Sequence, residues 1–341
     1  MSKTILVTGG AGYIGSHACK ALAKAGYVPV SYDSLIRGHR EAVRWGPLVV
    51  GDLADRELLA ATMKRHAVSA VMHFAAFGYV EESVKHPELY FRNNVINSLG
   101  LFETMLAAKV KRIVFSSTCA TYGMPDEMPI RETTPQRPVN PYGEGKLMIE
   151  RALYWLGRTH ELAHVCLRYF NAAGADPEGE IGEGHDPETH LLPLILYTAL
   201  KRRARIDIYG TDYPTPDGTA VRDYIHVQDL AEAHVKALQY LEGGGDSVAL
   251  NLGTGKGVSV REAISAAERI TGLKVARQES PRRAGDPPML VADPSLAGKV
   301  LGWKARMSDI DTIIANAWAW YSKHQPGHQP SHKPALGAAG V

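Results

Sequence analysis

Tyr142 and Lys146 stand four residues apart in Asn140-Pro141-Tyr142-Gly143-Glu144-Gly145-Lys146. Asn140 is suited to cap a helix and Pro141 to occupy its first position, so the phenol and the ammonium fall on one helical face about one turn apart. A phenol of pKa ~10 is a poor base at neutral pH. Lowering it by about three units takes about 4 kcal/mol of differential stabilisation, which nearby positive charge in a partly dry site can supply. Such a tyrosine removes a proton from an alcohol while hydride leaves the same carbon. Upstream, Ser116-Ser117-Thr118 ends an apolar run. Thr118 is placed to share the alcohol proton by hydrogen bond; its bland role is to satisfy local backbone at a strand end. A Tyr-x-x-x-Lys pair alone is a common surface motif, so its meaning depends on what else the chain offers.

A hydride needs an acceptor, and the N-terminal segment supplies a place for one. Thr4-Ile5-Leu6-Val7 reads as a buried strand, Thr8-Gly9-Gly10-Ala11-Gly12-Tyr13-Ile14-Gly15 as a glycine turn, and Ser16–Lys24 as a helix. Gly9 permits the tight turn, Gly12 close approach of backbone to a pyrophosphate, and Gly15 packing of helix on strand. The helix N-terminus offers amide donors and partial positive charge to phosphates. A second apolar strand ends in Asp33, an acid able to take both hydroxyls of an adenosine ribose. That carboxylate would repel a 2′-phosphate, which favours NAD over NADP, although Arg37 lies four residues on.

Apolar runs recur at Leu48–Val50, Ala70–Phe74, Ile113–Ser116, His164–Arg168 and Ala249–Leu252, with amphipathic stretches Arg56–Arg65, Val95–Ala108 and Tyr142–Gly157 between most of them. This alternation predicts an α/β fold, a Rossmann-type doubly wound parallel sheet with a smaller mixed α/β substrate domain. Several of these strands end in small or polar residues, as expected where a ligand lies along the carboxyl edge of the sheet. The expected domains are 1–172, with 222–255 returning to it, for the cofactor, and mainly 173–325 for the substrate; 326–341 reads as a disordered tail. A net charge of +2 over 341 residues gives no argument for nucleic acid. No leader peptide or membrane-length apolar run is seen. Cys19, Cys119 and Cys166 lack metal spacing and read as buried, reduced, cytoplasmic thiols. No metal is expected.

The longer motifs resemble those of extended short-chain dehydrogenases/reductases, and within them the UDP-glucose 4-epimerase family. The matching pieces include TGGAGYIGSH at Thr8–His17, SSTCATYG at Ser116–Gly123, NPYGEGK at Asn140–Lys146, LRYFNAAGA at Leu167–Ala175, ETHLLP at Glu188–Pro193 and NLGTGKGVSV at Asn251–Val260. The most specific is GTDYPTPDGTAVRDYIHV at Gly210–Val227. The resemblance implies NAD as cofactor and catalysis by Tyr142, Lys146 and Thr118. It implies that Gly9, Gly12, Tyr13, Ile14, Gly15, Asp33, Asp52, Leu53, Phe74, Ala75, Asn93, Ser116, Tyr142, Lys146 and Tyr169 bind the cofactor, Asp52 and Leu53 at the adenine and Tyr169 near the nicotinamide. Thr118, Tyr142, Asn171, His190, Leu191, Tyr209, Arg222, Arg283, Asp286 and Leu290 would bind the substrate. Among them Asn171, Arg222 and Arg283 would hold a diphosphate, Tyr209 would stack on uracil, and Asp286 would take the uridine ribose. Leu290 would stand beside the sugar C2 substituent. Gly78 and Glu81 depart from the family pattern, Gly78 where some members carry a lysine near the cofactor phosphates.

The implied reaction is reversible epimerisation at C4 of UDP-glucose and UDP-galactose, by oxidation to a 4-keto sugar and return of hydride to its other face. A homodimer is also implied, through helices near Asn94–Ala108 and Tyr142–Gly157, with no nucleic-acid or membrane partner. Two rivals share these features: a UDP-pentose 4-epimerase, which differs only at C6, and a non-catalytic NAD-binding regulator, which has no use for Tyr142, Lys146 and Thr118 together. A 4,6-dehydratase would carry Asp-Glu directly after Thr118, where this chain has Cys119-Ala120.

Overall fold

The computed structural model describes residues 2–283 and 285–324. The tail expected at 326–341 lies outside the described residues. Seven parallel strands form the main sheet, in the order Val248–Leu252, Ala163–Tyr169, Arg112–Thr118, Val68–His73, Thr4–Thr8, Val28–Asp33, Leu48–Val50. The chain enters at Thr4–Thr8 in the interior of the sheet and builds outward first to one side and then to the other. The strand order therefore reverses beside Thr8, where a crevice opens at the carboxyl edge.

Strands buried on both faces need apolar residues at every position rather than at alternate ones. Ile5, Leu6 and Val7 are fully buried. Ile5 and Val7 enter one core with Leu230 and Leu238, while Leu6 enters the other with Leu59, Leu101 and Phe102. Each such side chain contributes roughly 1.5–3 kcal/mol of burial. Helices Tyr13–Lys24 and Val227–Glu242 pack together on the first face. Helix Arg56–Arg65 has the bounds its pattern predicts. The Asp55 carboxylate accepts from Leu58 N at its start, and Lys64 and Arg65 close its last turn.

A separate core of Leu192, Ile195, Ile208, Ile264 and Ile313 lies under residues after 173. Its strands are short: Ile206–Tyr209 beside Arg277–Ser280, and Val221–Arg222 between Val258–Ser259 and Met289–Leu290. The helix expected over Val95–Ala108 is corrected. It begins earlier, as a wide π turn Phe91–Ile96, and continues as an α-helix Asn97–Ala107. Asn93 of that turn lines the crevice, and π turns often occur at such sites.

Candidate active site

The glycine turn closes on itself through Gly12 N to Gly9 O, 3.1 Å. Gly9 has φ +75°, and a Cβ on it would stand 2.7 Å from Ala75 N. A Cβ on Gly15 would stand 2.1 Å from Gly9 O, so helix and turn touch through backbone alone. Gly12 is different: a Cβ there would meet only Gly9 O, at 3.3 Å, and its free side faces the cavity. Helix Tyr13–Lys24 starts at Gly12 with no side-chain cap, which leaves its first amides for an outside acceptor.

These features border a cavity of about 550 Å³. Asp33 lies on its wall, buried, with Oδ2 accepting from Ala11 N at 3.0 Å and Oδ1 from Leu35 N at 2.9 Å. Burial raises its carboxyl above the usual range. Asp52, Leu53, Phe74, Ala75 and Asn93 line the same cavity, as do Tyr13, Ile14, Ser116 and Tyr169. The cradle fits a dinucleotide: backbone amides at one end and an oriented carboxylate beyond them. A Cβ on Gly78 would meet nothing within 4 Å, so no side chain replaces the lysine of other family patterns there. Glu81 is exposed and pairs with Lys85.

Asn140 caps helix Pro141–His160 by accepting from Gly143 N at 2.8 Å, with Pro141 in the first turn, as expected. Tyr142 faces the cavity and hydrogen-bonds with Thr118. Thr118 Oγ1 also accepts from Ala120 N at 3.1 Å, the local backbone role expected at a strand end. Lys146 is buried, with Nζ 5.9 Å from the Tyr142 ring centroid. Its ammonium donates to Ser116 O at 2.8 Å and lies 4.9 Å from the Phe115 ring centroid. Tyr169 and Ser116 are joined by their hydroxyls. Behind this group Arg168 and Glu150 form a buried ion pair at 2.6 Å.

The electrostatics of the bare chain run opposite to the expected phenolate. Desolvation pushes Tyr142 up to about 12, and only the Thr118 hydrogen bond opposes it. Desolvation pulls Lys146 down to about 7, partly offset by the Glu150 charge. An ammonium that is itself half discharged near neutrality gives the phenolate little support. A positive charge brought by a bound cofactor would favour the phenolate.

The expected substrate residues divide. Asn171, His190, Arg222, Asp286 and Leu290 line the cavity. Tyr209, Arg283 and Leu191 are not on its wall. The reason is local: the Arg283 guanidinium stacks 3.9 Å from the centroid of the Tyr209 ring, so each occupies the other. Arg222 pairs with Asp286, and not with its neighbour Asp223, whose carboxylate accepts instead from Thr254, Gly255 and Ala292. Leu290 sits in a two-residue strand beside Arg222 and packs against the cluster of Cys119, Tyr122, Ile130, Phe170 and Ala292, while still reaching the cavity.

The sequence reading missed Phe77, Tyr79, Glu183 and His185, all on the cavity wall. For Glu183 and His185 the signal lay in the segment Glu183-Gly184-His185-Asp186-Pro187-Glu188-Thr189-His190, a concentration of ligating side chains. The loop before it is tied to the glycine turn. Tyr13 OH donates to Gly174 O at 2.7 Å, His39 Nε2 lies 2.6 Å from Gly184 O, and buried Lys20 donates to Asp176, Glu178 and Glu180 at 2.8, 2.7 and 2.5 Å.

Comparison with known proteins settles the family. The sequence profile of the NAD dependent epimerase/dehydratase family matches residues 5–253. The chain belongs to that family. Among its members, a UDP-glucose 4-epimerase of Streptococcus mutans is 52% identical over 326 residues, covering 95% of this chain and 98% of the relative. A crystal structure of UDP-glucose 4-epimerase from Brucella ovis in complex with NAD is 50% identical, with a TM-score of 0.91 and coverage of 93% and 98%. One from Stenotrophomonas maltophila, with bound NAD and formylated UDP-arabinopyranose, is 44% identical, with a TM-score of 0.92 and coverage of 94% and 98%. Family membership and the Rossmann-like parallel sheet agree with the expectations from sequence. The three cysteines are free and buried. No described helix is long and apolar enough to cross a membrane.

Proposed function

We propose that this chain interconverts UDP-glucose and UDP-galactose at C4, with NAD as its cofactor. The observation that carries the reading is the convergence of Tyr142, Thr118 and Lys146 on the cavity that the glycine turn borders. Gly12, the first amides of helix Tyr13–Lys24 and Asp33 would hold the dinucleotide, with Asp52, Leu53, Phe74, Ala75 and Asn93 along it. When bound and oxidised, the dinucleotide supplies a hydride acceptor and a positive charge. Tyr142 then removes the proton of the 4-hydroxyl and returns it after the sugar has turned. Thr118 holds that hydroxyl by hydrogen bond, and Lys146 holds the polar edge of the site through Ser116. Arg222, Arg283 and Asn171 would grip only the diphosphate, whose oxygens suit guanidinium donors. The hexose beyond it is left free to present either face to Tyr142.

Residues 1–172 with 222–255 would form the cofactor half and the rest of 173–325 the substrate half, the uridine end lying where Arg222 and Asp286 now pair. Taking a uridine requires Arg283 to leave Tyr209 and Arg222 to exchange Asp286 for phosphate. Copies of the chain would pair through the neighbouring helices Val80–Lys85, Asn97–Ala107 and Pro141–His160, which expose Val84, Leu99, Met148 and Trp155. Three free thiols suit a reducing cytoplasmic setting. The test is turnover by the purified chain of UDP-hexoses, UDP-N-acetylhexosamines and UDP-pentoses side by side. Interconversion of UDP-galactose and UDP-glucose without added reductant is expected; activity confined to UDP-pentoses, or none, refutes the reading.

A further inference from the structure

Glu183, His185, Glu188 and His190 each place one ligand-type atom within 4.8 Å of the others. His190 Nδ1 lies 2.6 Å from Glu183 Oε1 and 3.4 Å from Glu188 Oε1. His185 Nδ1 lies 3.0 Å from Glu183 Oε1 and 3.8 Å from Glu188 Oε2. In a tetrahedral site with bonds of ~2.0–2.2 Å the ligand atoms stand about 3.3–3.6 Å apart. The four separations bracket that range.

Hydrogen bonding leaves part of this cluster unspent. The Glu188 side chain is only 4% exposed, yet its Oε2 has no hydrogen-bond partner, and neither has buried His185 Nδ1. The Nδ1 of His185 faces a carboxylate oxygen at 3.0 Å without hydrogen-bond alignment. Glu188 Oε1 accepts from Thr189 N and His190 N at 2.7 and 2.8 Å, which fixes the carboxylate and leaves Oε2 as its unspent ligand atom. Two carboxylates and two neutral imidazoles also balance a doubly charged cation. The surroundings hold the ligands in place: Trp320 Nε1 donates to Glu183 O at 3.1 Å, and Tyr13 and Tyr79 pack edge-on against His185 at 6.2 and 5.9 Å. Without an ion, the quartet carries itself as imidazolium–carboxylate pairs, and a metal would displace those protons.

We propose that Glu183, His185, Glu188 and His190 form a binding site for a divalent transition metal of the Zn²⁺ or Co²⁺ type, for which mixed imidazole and carboxylate ligation is suited. The ion would pin the segment 183–190 against the glycine-turn helix. It does not depend on the reaction proposed above, since binding is read without turnover.

The experiment uses the full chain, stripped with a chelator and titrated with Co²⁺, then with Zn²⁺. Wild type is expected to take up one equivalent of Co²⁺ with the intense visible absorption of a tetrahedral site, and to lose that absorption as Zn²⁺ replaces it. Glu188→Gln, which keeps the side-chain shape, and His185→Ala should each weaken Co²⁺ binding by at least about tenfold, since loss of even an outer partner of a ligand costs ~10–100-fold. Circular dichroism of each variant reports its fold, and if His185→Ala is unfolded Glu188→Gln alone decides. Absence of stoichiometric Co²⁺ binding by wild type overturns the proposal. So does binding unchanged in a folded Glu188→Gln variant, because another group of histidines then holds the ion.

Discussion

Arg37 donates to both carboxylate oxygens of Glu82 at 2.7 Å while its guanidinium lies 4.8 and 4.4 Å from the ring centroids of Phe77 and Tyr79. The cation four residues beyond Asp33 is therefore already neutralised. It cannot swing to a 2′-phosphate without abandoning a bidentate ion pair and two aromatic faces. Asp33, with its carboxylate oriented by Ala11 N and Leu35 N, would then set cofactor choice unopposed.

The double variant Asp33→Ser/Glu82→Gln removes the repulsion and frees the cation. Its ratio of NADP to NAD affinity, measured by calorimetry on stripped protein, should rise at least tenfold over wild type. An unchanged ratio means that Arg37 and Asp33 do not read the 2′ position.

Replacing Tyr142 by Phe keeps the ring against Lys146 and removes the proton carrier. Turnover of UDP-galactose should fall by roughly 10²–10⁴-fold. Bound dinucleotide and the thermal midpoint should stay near wild type. Near-normal turnover ends the assignment of Tyr142 as acid and base.

Lys146 gives a pH signature to stability. Its native pKa is about 7, against 10.5 for an ordinary lysine. Between those values the unfolded chain binds a proton that the native chain does not, so this residue's contribution to stability increases as pH rises from about 7 toward 10 and is lost as pH falls. The slope is at most about 1.4 kcal/mol per pH unit. Thermal midpoints of stripped protein at pH 7 and pH 9 should therefore diverge between wild type and Lys146→Met, wild type gaining more. Parallel profiles would show that Lys146 stays charged in the native protein.

Leu290 touches the cavity from a strand that also carries it against Cys119 and Phe170. A leucine there can shift about its torsions where a ring stands as a fixed wall. Weak activity on UDP-N-acetylglucosamine is expected beside the main UDP-glucose and UDP-galactose activity. Leu290→Tyr should abolish the former and largely spare the latter. An unchanged ratio of the two excludes Leu290 as the gate.

Trp155 is 62% exposed on helix Pro141–His160, beside exposed Tyr154. If copies pair through this face, Trp155→Asp should shift the sedimentation mass from dimer to monomer. A dimer that persists, or a wild-type monomer, removes the proposed pairing.

What could be read from sequence followed the length scale of each signal. Strands of the main sheet are continuous apolar runs because both faces are covered, and helix Arg56–Arg65 announces its ends through Asp55 and Lys64-Arg65. The glycine turn and the Tyr142 helix were equally legible, since Gly9, Gly15, Asn140 and Pro141 have backbone duties that few other residues perform. Two-residue strands such as Val221–Arg222 and Met289–Leu290 are too short to carry a period, so the place of Leu290 rests on counting along the chain and on no pattern of its own. The stacking of Arg283 on Tyr209 joins residues 74 apart and leaves no local mark. The burial of Tyr142 itself, which raises its phenol in the chain alone, left no mark in the sequence, because it is set by the walls that several distant segments build around the ring.

The buttresses from helix Tyr13–Lys24 to the loop at 174–184 bear on time rather than on affinity. Tyr13 lines the cavity and is anchored by its bond to Gly174 O, and Lys20 on the same helix is anchored by its carboxylate cluster, so opening this edge of the site would break several buried contacts together and slow the exchange of a bound dinucleotide. Each catalytic cycle ends with the cofactor in the oxidation state in which it began. Slow exchange with the cellular pool would therefore exact no penalty in throughput.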